Sequence, residues 1–524
     1  MKEKKQETEL LENSYTTTVS TIYITTSKSK NIKKRPRFGC CGCVFLLVAA
    51  LSTLAYLSTI TDPFSPNTIV NTPFTTTVDN GQIHLLQNSA LTINNNGVYE
   101  AFSWFKSGYH MIVNANWGSP KAASEDEDGI INDIHTLRFD PSKPYLISGD
   151  HFSVLYPRNL GVFYLPTLDP RIARTQDEWE LQQRLYLQTT AYTLETFSQS
   201  GKPSTTIVPT GSNAVTQINV YAYPSDALYG TLFALKTLQS PEELQRLYPF
   251  TAAENVSLET AQAGTELLDR YRENLQQLLD DYFHYVYDEQ TGLVKTQIHL
   301  SGAKDITKRQ GAFYDNVILW RTLQLAQDME IMPSPIDLDQ YRELILSTYW
   351  DGKTGHFLED LSDESLQESY YSSDWLVVLF TGFLNPAIPN DRAYYEQSLQ
   401  YIEKEGLARP FAIKYQQTDR EGRQFPLVKT FLPSYGGSAI WSFWGLEYTK
   451  LNLLLYKQTN DQKYLQEAEY QLDRYKENIE KYRGFPEVYS ENGEMIETKW
   501  YTSVRQTGWV VNYEQARGMW ESVK

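Results

Sequence analysis

The chain has 524 residues, 41% of them hydrophobic, and a formal net charge of −17, enough for one large domain with additional segments. Residues 1–38 hold nine Lys/Arg against four Asp/Glu, so the remainder carries −22. A domain this acidic repels nucleic acid and anionic polysaccharide, which leaves a neutral substrate or partner.

Residues 1–37 are polar and rich in Thr, Ser and Lys, the composition of a disordered tail. Phe38 to Ile60 is free of charge and long enough to cross a bilayer as a helix. Lys28, Lys30, Lys33, Lys34, Arg35 and Arg37 precede it, and no Lys or Arg follows until Lys106. This asymmetry places the N-terminus in the cytoplasm and everything after Thr61 outside. A cleaved signal peptide is the alternative, but the polar lead is long for one and no clear A-x-A site follows. The reading is a retained, single-pass signal anchor in a cell membrane. Cys40, Cys41 and Cys43 all lie at its inner edge, so the exported part has no disulfide and no thiolate metal site. Small residues packing within a helix account for C-C-G-C more simply than acylation or metal binding. A cystine-free exported domain of this size leans towards a bacterial source.

Residues 61–78 form a Pro/Thr linker, and 79–145 an N-terminal segment with a few strands expected between Ile83 and Trp117. Ser124 to Asp133 reads as an acidic, solvated loop; calcium is the alternative, although the spacing is not that of an EF-hand. From 146 to 524 the texture is helical. Amphipathic periodicity predicts helices near 159–168, 177–199, 225–239, 258–286, 312–330, 337–348, 373–383, 391–404, 437–457, 461–482 and 506–522.

A turn pattern recurs between them, at Tyr287-Asp288 to Gly292, Trp350-Asp351 to Gly355 and, shortened, Tyr489 to Gly493. Asp288 and Asp351 are 63 residues apart, and Ser490 follows after about two more such periods. Six helical hairpins at that period predict an all-α (α/α)6 toroid, with loops at one end gathered around a pocket. The twelfth helix has no evident place, and an open helical solenoid is the competing architecture.

The third copy of the turn differs in one respect. Two residues before its aromatic stands Glu487, where the other copies have Tyr285 and Thr348. A carboxylate in an aromatic loop between helices suits acid–base chemistry, and glycoside hydrolysis needs a second carboxyl group across the bond. Asp315, at the start of a predicted helix, is the candidate; Asp226 and Asp374 are similar helix starts, and capping is the plain alternative for all three. Tyr156, Arg158 and Asn159 offer N–H donors for sugar hydroxyls if they line the pocket. Gly436-Gly437 before Trp441 allows close approach of a ligand, with the indole as a stacking face. Asp374, Trp375 and Trp509 complete the candidate substrate-binding set. No Walker A, dinucleotide, H-E-x-x-H or G-x-S-x-G motif is present, and the seven histidines show no metal-ligand spacing. No cofactor or metal is expected.

The order of these motifs resembles that of six-hairpin glycosidases. Tyr156-Pro-Arg158-Asn159-Leu-Gly161 is similar to the W/Y-P-R-D-G of glucoamylase-type enzymes. Gly311 to Val317 resembles the S-G-x-D-x-S segment of trehalases and mannosyl-oligosaccharide glucosidases, Gly436 to Trp441 their W-R-G-P-I-W, and Glu487 to Gly493 with Thr507-Gly-Trp509 their E-x-Y-x-x-x-x-G…W-T. The resemblance covers roughly residues 150–520. It implies that Asp315 is a general acid and Glu487 a general base in an inverting hydrolase of a neutral saccharide. Asn159 replaces the family Asp, and Gly-Gly-Ser-Ala replaces W-R-G-P, so the substrate stays open. A carbohydrate-binding protein that kept the toroid and lost turnover is the alternative; a polysaccharide lyase on a similar toroid fits less well with the −22 balance.

The charge asymmetry around Phe38–Ile60 predicts that protease added to intact cells removes the C-terminal domain and spares roughly the first forty residues. Protection of the C-terminus until lysis would reverse the orientation.

Overall fold

A computed structural model describes residues 74–79, 82–87, 91–93, 115, 120–143, 145–149, 154–161, 163–209, 214–219, 221–240, 242–248, 256–298, 300, 307–418, 432 and 434–524. The predicted anchor, 38–60, lies outside the described residues; among these, no helix is long and apolar enough to cross a membrane.

Three strands come first: β1 (Phe74–Asp79), β2 (Gln82–Gln87) and β3 (Thr92–Ile93). β1 and β2 form an antiparallel hairpin that begins inside the stretch read as linker. Helix α1 (Glu127–Arg138) follows, then turns of 3-10 helix at Pro157–Leu160 and Leu165–Leu168, and α2 (Gln176–Ser200). β4 (Thr206–Pro209) and β5 (Ala214–Ile218) make a second hairpin, and β3 joins β5 in parallel. The rest is α3 (Ser225–Gln239), α4 (Glu242–Leu247), α5 (Leu258–Val286), β6 (Tyr287–Asp288), β7 (Leu293–Val294), α6 (Phe313–Asp328), α7 (Leu338–Tyr349), β8 (Trp350–Asp351) and β9 (His356–Phe357). Then come α8 (Asp363–Glu368), a 3-10 turn at Ser373–Leu376, α9 (Val377–Phe380), α10 (Pro389–Lys404), β10 (Ile440–Trp441), α11 (Ser442–Thr459), α12 (Gln462–Tyr482), β11 (Val488–Tyr489) and α13 (Val510–Val523).

The packing is circular. The 3-10 segment at 157–160 lies on α3, α3 on α6, α6 on α9 and its preceding turn, that turn on α11, α11 on α13, and α13 on the 3-10 turn at 165–168. Six inner elements thus close a ring. α5 packs outside α3, α7 outside α6 and α12 outside α11, and α2 lies against the 157–168 segment. This is a helical toroid rather than an open solenoid.

The unplaced twelfth helix is α1, in the stretch read as an acidic loop. Asp126 caps it by accepting from the Gly129 N–H, and Glu127 and Asp128 sit in the first turn, where the helix dipole favours negative charge. Ile130, Ile131 and Ile134 are buried. Its acids also serve the ring: Glu127 accepts from Tyr513 Oη at 2.7 Å and Arg517 at 2.7 Å, and His135 Nε2 meets Glu514 at 2.7 Å. The stretch lacks a long apolar stripe, so only the α13 partners show why so acidic a segment is helical.

Other differences have local causes. The predicted helix 159–168 is two 3-10 turns, because Pro157 and Pro166 each start a tight turn and Gly161 separates them. The predicted helix 373–383 is a 3-10 turn followed by one α turn ending at Thr381-Gly382, with Gly382 at positive φ. The short helices α4 and α8 fell below the length at which periodicity is informative. By contrast, α3 and α5 occupy the residues their periodicity marks. The recurring turn is real: Asp288 and Asp351 each accept from the backbone N–H two residues on and from the Thr hydroxyl three residues on, and Gly292 and Gly355 close each turn at positive φ.

One fully buried ion pair ties the ring. Lys450 Nζ donates to Glu447 at 2.7 Å and to Asn512 Oδ1 at 2.9 Å, and stands 4.8 Å from the Tyr248 ring centre, whose hydroxyl donates to Glu447 at 2.8 Å. Burial pushes the Lys450 ammonium down, and Glu447 opposes that shift.

His356, fully buried in β9, stacks on Tyr401 at 4.0 Å and makes a 2.9 Å bond to the Ser369 carbonyl. Burial pushes its pKa down to about 4 from 6.5. The unfolded chain therefore binds a proton in that window that the folded chain does not, and stability is lost as pH falls through it, by up to about 3 kcal/mol. His356→Gln keeps a donor for Ser369 and is expected to flatten this dependence in urea denaturation between pH 7 and about pH 4.5. An unchanged slope would show that His356 does not drive it.

Candidate active site

The inner elements of the ring start without side-chain caps. The N-cap residues of α3, α6, α11 and α13 are Pro224, Ala312, Trp441 and Trp509, and none of the four makes a side-chain cap bond. Most outer helices differ: Asp126, Thr175, Ser257, Asp337 and Asp461 cap α1, α2, α5, α7 and α12, each contributing about 1 kcal/mol, whereas α10 starts at Ile388 without a side-chain cap and with Pro389 in its first turn. Two of these inner starts carry a carboxylate in their first turn, Asp226 in α3 and Asp315 in α6, and Asp374 lies in the 3-10 turn before α9; α11 and α13 carry none. Helix dipoles favour negative charge at such positions.

These acids converge. Asp315 and Asp226 are only 4% and 3% exposed, and both act on the Tyr314 hydroxyl, which burial first and then these two charges push well above its usual range. Arg158 opposes them there, which places its guanidinium near the same group. Its position follows from packing: a Cβ on Gly230 would come within 2.9 Å of the Arg158 carbonyl oxygen, so glycine lets the Tyr156-Pro-Arg turn rest on α3. Arg158 also lies 5.9 Å from the Tyr156 ring.

Arg309 holds the next pair. Its Nη1 donates to Asp374 Oδ2 at 2.6 Å, both side chains being buried. Burial pushes the guanidinium down, but Asp315, then Asp374, Tyr415 and Glu359 outweigh it and hold the charged form above its ordinary range. Glu359 in turn accepts from Gln416 Nε2 at 3.0 Å. Arg309 was not a candidate from the sequence, although it lies six residues before Asp315 in the same segment; the signal was a cation ahead of a helix that begins with an acid.

Glu487 enters from the other side. Its N–H donates to the Val504 carbonyl at 2.9 Å, its carbonyl accepts from the Ser442 N–H at 3.0 Å, and Val488 pairs with Trp441 across β10 and β11. The loop is therefore fixed to the start of α11. The carboxylate is half-buried, and Tyr501 Oη donates to its Oε2 at 3.4 Å. Its charge also reaches Tyr164, whose hydroxyl burial pushes up while Arg138, 4.0 Å from the ring centre, pulls it down.

An aromatic wall connects the two sides. Tyr415 lies 6.1 Å from Trp441, Trp441 4.7 Å from Tyr435, and Tyr435 5.7 Å from Tyr501. Trp441 also approaches Trp509 at 6.2 Å, and its indole N–H donates to the Tyr435 carbonyl at 3.0 Å. Trp441 and Trp509 are 6% and 7% exposed, so each shows an edge rather than a full face.

Two candidates have other occupations. Asn159 is buried and its amide donates to Ser148 Oγ at 3.2 Å and Tyr164 Oη at 3.1 Å, which uses both its N–H groups inside the protein. Trp375 is 1% exposed, stacks beside Phe357 at 6.2 Å and directs its N–H at Tyr371 Oη; it is core, with no face for a sugar. Tyr435, Tyr415 and Tyr501 join the wall in their place. Among the described residues no group of three His, Cys, Asp or Glu side chains is arranged to hold a metal ion.

No protein-family model and no curated protein matches the chain. Among solved structures it is similar to a rhamnosidase from Klebsiella oxytoca with rhamnose bound, at TM-score 0.45 and 14% identity over 78% of this chain and 65% of that one. It is also similar to a neutral trehalase from Saccharomyces cerevisiae (TM-score 0.41, 12% identity, 79% of each chain) and to a glucoamylase from Saccharomycopsis fibuligera (0.44, 11%, 77% of this chain and 97% of that one). The chain thus spans just under two thirds of the rhamnosidase.

The buried Arg309–Asp374 pair yields a stability prediction. Removing one partner of such a pair leaves an uncompensated charge and costs about 3–5 kcal/mol. Asp374→Asn is expected to lie near the lower figure, because Arg309 keeps Asp315 and Glu359. Urea denaturation of Asp374→Asn, Arg309→Met and the double variant should give a coupling energy of about 1–3 kcal/mol. Additive losses would mean that the two side chains do not act as a pair.

Proposed function

We propose that the domain is a glycoside hydrolase acting on a neutral saccharide, with Asp315 as general acid and Glu487 as general base. The observation that carries this reading is a set of buried carboxylates at inner helix starts of a closed ring, together with a half-buried loop carboxylate fixed to the start of α11 and an aromatic wall that runs from Tyr415 to Tyr501. Hydrolysis by inversion requires this chemistry: one carboxyl group protonates the leaving oxygen while another, across the sugar, takes a proton from the attacking water. The Tyr501 hydroxyl orients the Glu487 carboxylate. Arg158 and Tyr156 supply polar contacts to hydroxyl groups, and Trp441 and Trp509 offer apolar edges to the sugar ring. Exposure of this domain outside the cell, anchored through residues 38–60, completes the proposal; its support is the uncharged run behind six basic residues.

One observation favours a second reading. Asp315 and Asp374 are the two leading charge partners of the buried Arg309. The carboxyl group assigned as acid is thus part of a buried charge network, which also suits a pocket that binds a neutral saccharide without cleaving it.

An oligosaccharide-release assay separates the two readings. Asp315→Asn and Glu487→Gln keep size and hydrogen bonding, and each should lower kcat at least about a hundredfold with the fold intact. Asp328→Asn, on the exposed last turn of α6, should leave the rate unchanged. The first product, followed by NMR, should carry the inverted anomeric configuration. Retained configuration would make one carboxylate a nucleophile. Binding without release by the unmutated protein would establish the second reading.

A further inference from the structure

We propose that two buried serines, Ser442 and Ser503, clamp the backbone of Glu487 and so position its carboxylate; they are positioning residues that act through it. The inference rests on the reading of Glu487 as the base and extends it. Four successive backbone groups of the loop are bonded around this one residue. The Pro486 carbonyl accepts from Ser442 Oγ, and the Glu487 carbonyl accepts from the Ser442 N–H at 3.0 Å. On the other side the Glu487 N–H donates to the Val504 carbonyl at 2.9 Å, and the Val488 N–H donates to Ser503 Oγ at 3.0 Å. Both serines are fully buried.

Ser442 is the first residue of α11, whose start has no side-chain cap. Its N–H is one of the donors that a helix start leaves unsatisfied, and the Glu487 carbonyl meets it. The loop that carries the candidate base is thus itself the cap of an inner helix. Ser442 is held in turn from α12, where Tyr475 Oη donates to its carbonyl at 2.8 Å. That approach requires Gly445, since a Cβ there would collide with the Tyr475 hydroxyl. Any buried peptide group needs a partner, so a single bond of this kind would speak for folding alone. Here the bonds fall on the two peptide units that flank Glu487. Those planar units set its φ and ψ, and hence the direction of its Cα–Cβ bond. Only the side-chain torsions remain, and Tyr501 Oη meets the carboxylate end at 3.4 Å. A reacting group about 1 Å out of place can lose about a hundredfold in rate, so a fixed backbone directly serves a base.

The test uses the full-length protein in detergent with maltotetraose, cellotetraose and α-1,2-linked mannotetraose. On whichever is cleaved, Ser442→Ala and Ser503→Ala should each lower kcat about tenfold and leave KM within about twofold, because a displaced base loses rate rather than affinity. Thr449→Ala removes a comparable buried bond on the same helix, from Oγ1 to the Gly445 carbonyl at 2.8 Å, and should leave kcat unchanged. An unchanged kcat in either serine variant, or an equal fall in Thr449→Ala, overturns the clamp while leaving the hydrolase intact. If the unmutated protein cleaves none of the three, the hydrolase reading fails for these linkages and hydrogen exchange decides about the clamp. The amides of Phe485, Glu487, Val488 and Tyr489 should then exchange about tenfold faster in both serine variants, and at the native rate in Thr449→Ala. Native exchange rates in the serine variants overturn it.

Discussion

Closure of the ring is the constraint on which the rest of this structure depends. α1 lies far from α13 in sequence, and Glu127 joins them by accepting from Tyr513 and Arg517 together. Arg138, at the other end of α1, donates to the Gly508 carbonyl just before α13 begins and lies over the Tyr164 ring. The first and last helical units are thereby held side by side. A carboxylate serving two donors in a partly buried setting is a stronger link than a surface pair.

Closure has an electrostatic consequence. It directs first-turn carboxylates of several inner elements into one small volume. Like charges so close repel unless a cation or hydrogen-bond donors offset them. Arg309 meets that requirement for Asp315, Asp374 and Glu359, and Arg158 lies near the Tyr314 hydroxyl on which Asp226 and Asp315 act. Helix dipoles add to this, since the inner N-termini carry no side-chain caps of their own.

The Glu487 loop has little regular structure, yet both its backbone groups are bonded, one to Val504 and one to the first residue of α11. A loop fixed in this way can hold a side chain at a functional end of the ring without itself being a helix.

Much of the architecture was legible in the chain because helix periodicity is a local property. The stretches marked at 225–239 and 258–286 are the helices α3 and α5 themselves. The turn at Asp288 and Asp351 showed its 63-residue period because Asp, Thr and Gly each have a fixed task in it. That Glu487 differs from the other copies was likewise visible in sequence alone. What tertiary structure decided is everything that depends on partners distant in the chain. Acidic 127–133 is helical, and Tyr513 and Arg517 donate to its Glu127. Asn159 and Trp375, plausible at a sugar site by residue type, are occupied by Ser148, Tyr164 and Tyr371 inside the protein. Arg309 became visible only when Asp374, 65 residues later, came within 2.6 Å of it. Periodicity reports which face of a helix is apolar; it carries no information on which charge from elsewhere will meet that face.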